Sequence, residues 1–337
     1  MSVENHQKRQ KNYNKKKKII SSFLFKPKTK NAKHYINRIK MIKKLIKNKE
    51  LFGKTVLITG TTSGIGLACV CHLARLGCSV ISCSRNTDLA TKQLASLKEK
   101  YNFNFYVYGI DLQNTTCIKE LGGRLRKDFP GGIDFIIHNA GIFARPKQIT
   151  SYGYEQHFFT NCIAPIFLTK QLEPVLKENS RVVFVSSISA KSAKIDFNNI
   201  DFNSKNNNIK IYANSKAWLS NYINHHNSLN QNLKTQYVLI HPGVCASSLM
   251  SSKNGRFPKV VSGIINVGMK ILFHSSSKAS LCEVAGLVLH TEPNKWIGPS
   301  LFGVWGKPKL QKLSFKNANP QIQEKCYKTL ENIINNL

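Results

Sequence analysis

From residue 51 onward, short apolar runs alternate with longer amphipathic stretches, and this alternation constrains the fold more than any other feature of the sequence. Continuous runs rich in Val, Ile and Phe predict strands that are buried on both faces. We expect six such strands, over residues 54–60, 78–84, 103–110, 133–139, 181–187 and 235–241. The stretches between them predict helices over residues 65–76, 88–100, 115–127, 154–176 and 212–230.

Strands that alternate with helices of this length predict right-handed strand-helix-strand units and a doubly wound parallel sheet, the α/β architecture of the Rossmann fold. The chain has 337 residues, 42% of them hydrophobic, and can therefore bury one sizeable core. We expect a single domain over residues 51–313, a basic extension over 1–50 and a helical tail over 314–337. Ligands of such sheets bind beyond the carboxyl ends of the strands.

The positive charge is concentrated at the start of the chain. Residues 1–50 contain 17 Lys or Arg and two acidic residues, a net charge of +15 out of the +33 of the whole chain. Ile36, Ile39, Ile42 and Leu45 recur every three residues between lysines, a pattern typical of a basic helix on an anionic membrane surface. The same charge would attract nucleic acid, which we do not expect as a partner. The abundance of Lys, Asn and Ile in the whole chain favours a solvated tail.

The nine cysteines are an odd number without a C-x-x-C pair, which favours reduced thiols and a cytoplasmic location. The apolar runs are shorter than the ~18 residues that a membrane-spanning helix needs. The start of the chain lacks the apolar core and cleavage site of a signal peptide. Any membrane contact is therefore expected to be peripheral, through residues 1–50.

The first predicted strand ends in a glycine-rich turn, TGTTSGIG, and an apolar helix follows at once. Gly60 allows a tight turn, Gly64 lets a pyrophosphate approach the backbone, and Gly66 lets the helix pack closely on the strand. The helix N-terminus supplies N–H donors and a partial positive charge. These features predict a phosphate cradle. Its residues are Gly60, Thr62, Ser63, Gly64, Ile65 and Gly66.

Five motifs follow one another in the order of the short-chain dehydrogenase/reductase family, which the sequence resembles over about residues 52–290. They are the turn at 59–66, HNAG at 138–141, TNCIAPIFLT at 160–169, the serines at 186–187 and YANSK at 212–216. CSRN after the second strand and the insertion KIDFNNIDF are similar to the retinol-dehydrogenase-like branch of that family. The resemblance implies further contacts with an NAD(P) cofactor at Asn139, Ala140, Gly141, Tyr212, Lys216, Pro242, Gly243 and Ser247.

The residues of the later motifs suit proton exchange. Tyr212 and Lys216 lie four residues apart, so a helix places them on one face, where the ammonium would lower the pKa of the phenol from about 10. Ser187 would hydrogen-bond the substrate oxygen. Ser186 is the alternative by one position, and strand alternation together with the family pattern favours Ser187. The resemblance assigns Asn161 to a water that relays protons towards Lys216.

The preference between the two nicotinamide cofactors depends on the residues after the second strand. An acidic side chain there would bind a ribose 2′-hydroxyl, but this chain has Ser84 and Arg85. The forked guanidinium of Arg85 suits a 2′-phosphate, so we expect NADP(H) rather than NAD(H), although Arg85 could instead stack on adenine or cap the loop. Asp111 and Leu112 match positions that the family uses at the adenine ring, and Asp111 could also cap the next helix.

The segment after the sixth strand corresponds to the pocket lid of the family, and it is markedly apolar between Val260 and Phe273. The resemblance and this lid predict a lipophilic alcohol or carbonyl substrate, of retinoid or steroid type, and chemistry without a metal. An apolar helix at a dimer interface or a membrane would have the same composition. Two alternatives stay open: a nucleotide-binding scaffold without turnover, and a protein that acts through its basic arm. A homodimer is a further expectation from the family.

Overall fold

The computed structural model describes residues 50–143, 146–200, 208–229, 234–243, 275–301, 303–313 and 319–337. Its strands are β1 Thr55–Thr59, β2 Ser79–Ser84, β3 Phe105–Gly109, β4 Ile133–His138, β5 Leu176–Val185, β6 Thr235–Ile240, β7 Lys295–Leu301 and β8 Trp305–Lys312. Its α-helices are α1 Gly64–Arg75, α2 Thr87–Tyr101, α3 Thr115–Asp128, α4 Gln156–Phe158, α5 Ala164–Leu172, α6 Asn208–Leu229, α7 Ser276–Ala279, α8 Leu281–Gly286 and α9 Pro320–Asn335.

The strands form one sheet in the order β3-β2-β1-β4-β5-β6-β7-β8. Neighbouring strands run parallel from β3 to β7, and only the β7–β8 pair is antiparallel. The strand order changes direction at β1, which has β2 on one side and β4 on the other, so a crevice is expected at the carboxyl ends of β1 and β4. The predicted doubly wound α/β fold is confirmed.

The helices pack in two groups. Helices α2, α7 and α8 pack against α1, whereas α9 packs along α6 and α3 packs against α5. The apolar residues of the strands fill the space between sheet and helices, and β4 is buried along its whole length. Phe158 and Trp218 meet edge to face in this core, with ring centroids 5.4 Å apart.

The predicted helix over residues 154–176 is divided in the structure. After α4, a π-helical turn at Phe159–Ile163 leads into α5, and a 3-10 helix at Glu173–Val175 ends the segment. Strand β5 then begins at Leu176, five residues before the predicted start at 181. A turn of π-helix inserts an extra residue without changing the apolar character, so hydrophobic periodicity does not detect it.

The last part of the chain forms two strands of the sheet and a helix that packs on the core. Strands β7 and β8 make a hairpin at the edge of the sheet, and α9 packs on the core through the buried side chains of Cys326, Leu330 and Ile333. The side chain of Asn319 caps α9 by accepting a hydrogen bond from Ile322 N–H, and Pro320 occupies the first turn. The segment predicted as a tail over 314–337 therefore contains a helix of the domain itself.

Two expectations concern the part of the chain that the structure describes. Its eight cysteines are all free thiols, and the ninth, Cys245, lies outside it. Within the same residues, we found no helix with the length and hydrophobicity that crossing a bilayer requires. Residues 1–49, which carry most of the predicted basic extension, are outside the described part.

Candidate active site

The glycine-rich turn after β1 has a backbone conformation that residues other than glycine rarely adopt. Gly60 and Gly64 have φ angles of +74° and +60°, in the region that favours glycine. A Cβ atom at Gly60 would lie 3.0 Å from the Cα of Ala140. At Gly66, a Cβ would lie 2.1 Å from the carbonyl oxygen of Gly60, so α1 packs directly on the turn.

The loops that follow β1 and β4 are joined by hydrogen bonds. The side-chain amide of Asn139 donates to the carbonyl oxygens of Thr59 and Gly60, at 2.8 and 2.9 Å. The N–H of Ala140 donates to the Thr59 hydroxyl at 3.0 Å. The Thr61 hydroxyl lies 3.0 Å from that of Ser84, at the end of β2. The turn, the HNAG segment and the end of β2 are therefore joined into one edge of the sheet.

This edge fits the phosphates of a dinucleotide. The first turn of α1 contains no acidic residue, so the helix N-terminus presents its N–H groups and partial positive charge without a competing carboxylate. The turn carries small residues, and a dinucleotide could approach its backbone. Arg85 is exposed directly after β2, beside this turn. These residues could hold NAD(P).

Asp111 and Leu112 follow β3 at the same edge of the sheet. The Asp111 carboxylate accepts a hydrogen bond from Gln113 N–H at 3.0 Å and is exposed, and Leu112 is buried. The cap of α3 is Asn114, whose side chain accepts from Cys117 N–H at 3.1 Å. Asp111 therefore does not cap α3.

Tyr212 lies on α6 with its ring against Phe143, edge to face, with centroids 4.8 Å apart. Burial raises the pKa of the Tyr212 hydroxyl, and a hydrogen bond with the Ser187 side chain opposes that rise. The four-residue spacing of Tyr212 and Lys216 predicted that Lys216 lowers this pKa. In the structure the lowering influence comes from Ser187, and burial outweighs it.

Ser186 and Ser187 face different surroundings after β5. The Ser186 hydroxyl is buried 2.7 Å from that of Ser220 on α6. The Ser187 hydroxyl accepts from the Ser189 hydroxyl at 2.9 Å, and it lies close enough to Tyr212 to lower the pKa of that phenol. Ser187 is therefore the serine that the structure brings to Tyr212.

Lys216 lies one helical turn after Tyr212 and is buried. Its ammonium donates to the carbonyl oxygen of Val185 at 2.7 Å. Burial lowers its pKa to about 8. The group is thus mostly charged at neutral pH but loses its proton more easily than an exposed lysine, and it lies next to the backbone that leads to Ser187.

Asn161 lies in the π-helical turn and is fully buried. Its side-chain oxygen accepts from Ile142 N–H at 2.8 Å, and its amide donates to Ile142 O at 2.9 Å and to the Ser215 hydroxyl at 3.2 Å. It thus holds the backbone just after Gly141 against α6. A Cβ at Gly141 would lie 2.9 Å from the Asn161 oxygen and 3.8 Å from the Lys216 ammonium, which places the three residues together.

His138 stands where the family motif has Asn. Its Nε2 lies 2.7 Å from the Thr169 hydroxyl, its ring stacks on Phe184, and burial lowers its pKa to about 3. His138 is therefore a neutral core residue. The position of Phe143 against Tyr212 was not predicted, because no motif includes it.

Pro242 and Gly243 follow β6, and Gly243 has a φ of +84°. Ser247 and the predicted apolar lid at 260–273 lie outside the described residues. Among those that the structure describes, there is no cluster of three or more His, Cys, Asp or Glu side chains that could hold a metal ion.

A sequence model of the family described as short chain dehydrogenase matches residues 54–256, which is more than half of the chain. The chain belongs to this family. Among curated relatives, retinol dehydrogenase 14 of Mus musculus is 31% identical over 215 residues, covering 59% of this chain and 63% of that protein. Retinol dehydrogenase 13 of Homo sapiens is 27% identical over 201 residues, covering 58% of this chain and 60% of that protein.

These matches confirm the predicted family and its retinol-dehydrogenase-like branch. The chain spans about three fifths of the length of these two relatives. Among solved structures, an uncharacterized protein from Mycobacterium paratuberculosis aligns with a TM-score of 0.64 and 21% identity, covering 84% of this chain and 94% of that one. This likeness supports the fold.

Proposed function

We propose that this short-chain dehydrogenase is an NADP(H)-dependent oxidoreductase that interconverts a lipophilic alcohol and its carbonyl compound. The observation that carries the proposal is the proximity of Ser187 to Tyr212, with Lys216 one helical turn away and the glycine turn two strands along the sheet, after β1. A bound nicotinamide would supply the acceptor or donor of the hydride. The chain's own residues then have to handle only a proton and the charge on one oxygen.

The two hydroxyl groups divide this task. In oxidation, Tyr212 as tyrosinate takes the proton of the alcohol, and in reduction it returns a proton to the carbonyl oxygen. Ser187 donates a hydrogen bond to the same oxygen as its charge changes. The high pKa of Tyr212 in the structure keeps the phenol protonated near neutral pH, as the reductive direction requires.

Lys216 and Asn161 support the pair. With a pKa of about 8, Lys216 can lose and regain a proton near neutral pH, so it can resupply Tyr212. Asn161 fixes the loop after Gly141 and lies beside Lys216, which suits the predicted water relay. The lipophilic substrate class is supported by the names of the relatives and by the apolar sequence between 260 and 273.

The preference for NADP(H) rests on Arg85. Fluorescence titration of NADPH and NADH into the wild type and Arg85→Ala tests it. We expect Arg85→Ala to weaken NADPH binding by roughly 10- to 100-fold, the usual cost of a charged hydrogen bond, and to leave NADH binding unchanged. Arg126→Ala, an exposed arginine on α3, is the matched control. Equal losses for both nucleotides would contradict the role of Arg85.

Partners and location follow from the same proposal. We infer a cytoplasmic enzyme with reduced thiols, in which residues 1–50 provide any peripheral membrane contact made outside the described part. A homodimer would be expected by analogy with the family, and sedimentation equilibrium of the full chain tests it. A single species of 38.0 kDa would overturn the homodimer.

A further inference from the structure

The tip of the β7–β8 hairpin contacts the ends of two segments next to the candidate site, at His241 and Ile188. The ring Nε2 of His241, just before Pro242, donates to the carbonyl oxygen of Gly303 in the hairpin turn at 2.7 Å. A Cβ at Gly303 would lie 3.2 Å from the Cδ1 atom of Ile188. Ile188 directly follows Ser187, so the hairpin tip contacts the residue next to the serine of the candidate site.

This tip exposes two large apolar side chains next to each other. Leu301 is 50% exposed and Trp305 is 37% exposed. The two residues are opposite partners in the antiparallel pairing, so their side chains share one face. Side chains alternate along a strand, so Lys307 and Lys309 follow Trp305 on that face. We call Leu301, Trp305, Lys307 and Lys309 the hairpin face.

All the charged side chains of the hairpin are basic. Residues 295–313 contain four lysines and no acidic residue. In the part of the chain that the structure describes, Lys295 pairs with Glu292, whereas Lys307, Lys309 and Lys312 have no acidic partner within ion-pair distance. The face therefore combines an apolar tip with uncompensated positive charge.

We propose that the hairpin face docks on an anionic phospholipid membrane. Trp and Leu side chains would enter the headgroup region, and the lysines, whose stems extend along apolar surface, would reach the phosphates. Lysines on an edge strand also prevent pairing with other strands, but that role does not call for an exposed Leu301 and Trp305. The docking itself is independent of the proposed oxidoreductase activity. If that activity holds, docking brings the candidate site close to the phase in which lipophilic substrates dissolve.

The three tryptophans make docking directly measurable. Trp218 and Trp296 are 0% and 1% exposed, so Trp305 alone can meet lipid among them. Full-length protein is mixed with phosphatidylcholine vesicles that contain phosphatidylglycerol and acyl-chain-brominated lipid. We expect the bromine to quench part of the fluorescence, the quenching to disappear in Trp305→Phe, and little quenching without phosphatidylglycerol. Vesicle binding without Trp305 quenching would show that another surface docks and would overturn the proposal.

Two double variants distinguish binding through the hairpin face from binding through the overall positive charge of the protein. Lys307→Gln/Lys309→Gln should weaken sedimentation with the same vesicles by roughly 10- to 30-fold, at about 1 kcal/mol for each lysine near the surface. The control Lys98→Gln/Lys100→Gln removes the same charge from the last turn of α2, at the opposite edge of the sheet. Equal effects of the two pairs would overturn the proposal. Binding to heparin but not to vesicles would overturn it in favour of a polyanion.

Discussion

At the scale of single residues, the candidate site contains the Tyr212 hydroxyl, whose pKa is raised by burial and lowered by the nearby Ser187. Tyr212→Phe removes this hydroxyl and leaves the ring against Phe143. We expect kcat/KM for a lipophilic carbonyl to fall by roughly 10²- to 10⁴-fold, the usual contribution of a positioned acid. Tyr106→Phe, at an exposed tyrosine of β3, is the control. Full turnover in Tyr212→Phe would show that the Tyr212 hydroxyl is not the proton donor, whereas no turnover in the wild type itself would favour a nucleotide-binding scaffold.

A second residue makes stability depend on pH. Glu283 of α8 is fully buried, and apart from the Cys69 thiol its carboxyl group has no hydrogen-bond partner among the described residues. Burial raises its pKa from 4.5 to about 8. The folded state therefore holds a proton that the unfolded state releases between these two values, so the free energy of unfolding falls as the pH rises through that range.

Glu283→Gln removes this titration while keeping the shape of the side chain. We expect urea denaturation of the variant to show a flatter decline with pH than the wild type between about pH 5 and pH 8. Glu120→Gln, at an exposed position on α3, should leave the decline unchanged. Identical pH profiles for the wild type and Glu283→Gln would show that this carboxyl is not the titrating group.

At the scale of elements, the close contact between α1 and the glycine turn can be tested with two glycines. Gly66→Ala places a Cβ against the carbonyl oxygen of Gly60, so α1 must move, and we expect weaker NADPH binding and lower stability. Gly123→Ala on α3 meets nothing within 4 Å and should stabilise its helix by about 0.5–1 kcal/mol. Thermal unfolding and NADPH titration of both variants check the contrast, and unchanged NADPH binding in Gly66→Ala would contradict it.

Helix α9 provides a test of the domain boundary. Glu331 accepts a hydrogen bond from the Tyr222 hydroxyl at 2.6 Å and pairs with Lys170, and Leu330 beside it is fully buried. Leu330→Ala should lower the free energy of unfolding by about 2–5 kcal/mol, as for other buried leucines. Leu229→Ala, at an exposed position on α6, should change it little. Urea denaturation measures both, and a silent Leu330→Ala would mean that α9 is a separable tail.

The success of prediction also differs between elements. Strands β1 to β6 were found because each contains a short run of mostly apolar residues, a pattern typical of parallel strands. The prediction that all six are buried on both faces was wrong for β3, which lies at the edge of the sheet and exposes Tyr106. Strand β7 was not predicted, since Gly298 and Pro299 interrupt it, and β8 was obscured by alternating lysines. Motif order led to the residues of the candidate site. It did not reveal the hydrogen bond from Lys216 to Val185 or the contact of Phe143 with Tyr212, because these depend on how loops meet in three dimensions.

At the scale of the whole molecule, charge and catalysis should be separable. The elements that carry the candidate site all begin after residue 50, whereas residues 1–50 carry +15 of the net charge of +33. Deleting residues 1–50 should leave NADPH binding and turnover intact. The Lys307→Gln/Lys309→Gln variant can keep some salt-dependent binding to anionic vesicles. Deleting residues 1–50 from that variant should reduce this remaining binding. Loss of NADPH binding on deletion would assign the extension to the site.

The opposite surroundings of Ser186 and Ser187 have a consequence for how this chain can tolerate insertions and deletions. A strand presents alternate residues to opposite faces, so inserting one residue into β5 would move Ser186 to the place of Ser187. Removing one residue would instead bring Ile188 to that place, and no serine hydroxyl would then face Tyr212. Near Tyr212, loss of a residue from β5 is therefore less tolerable than gain of one.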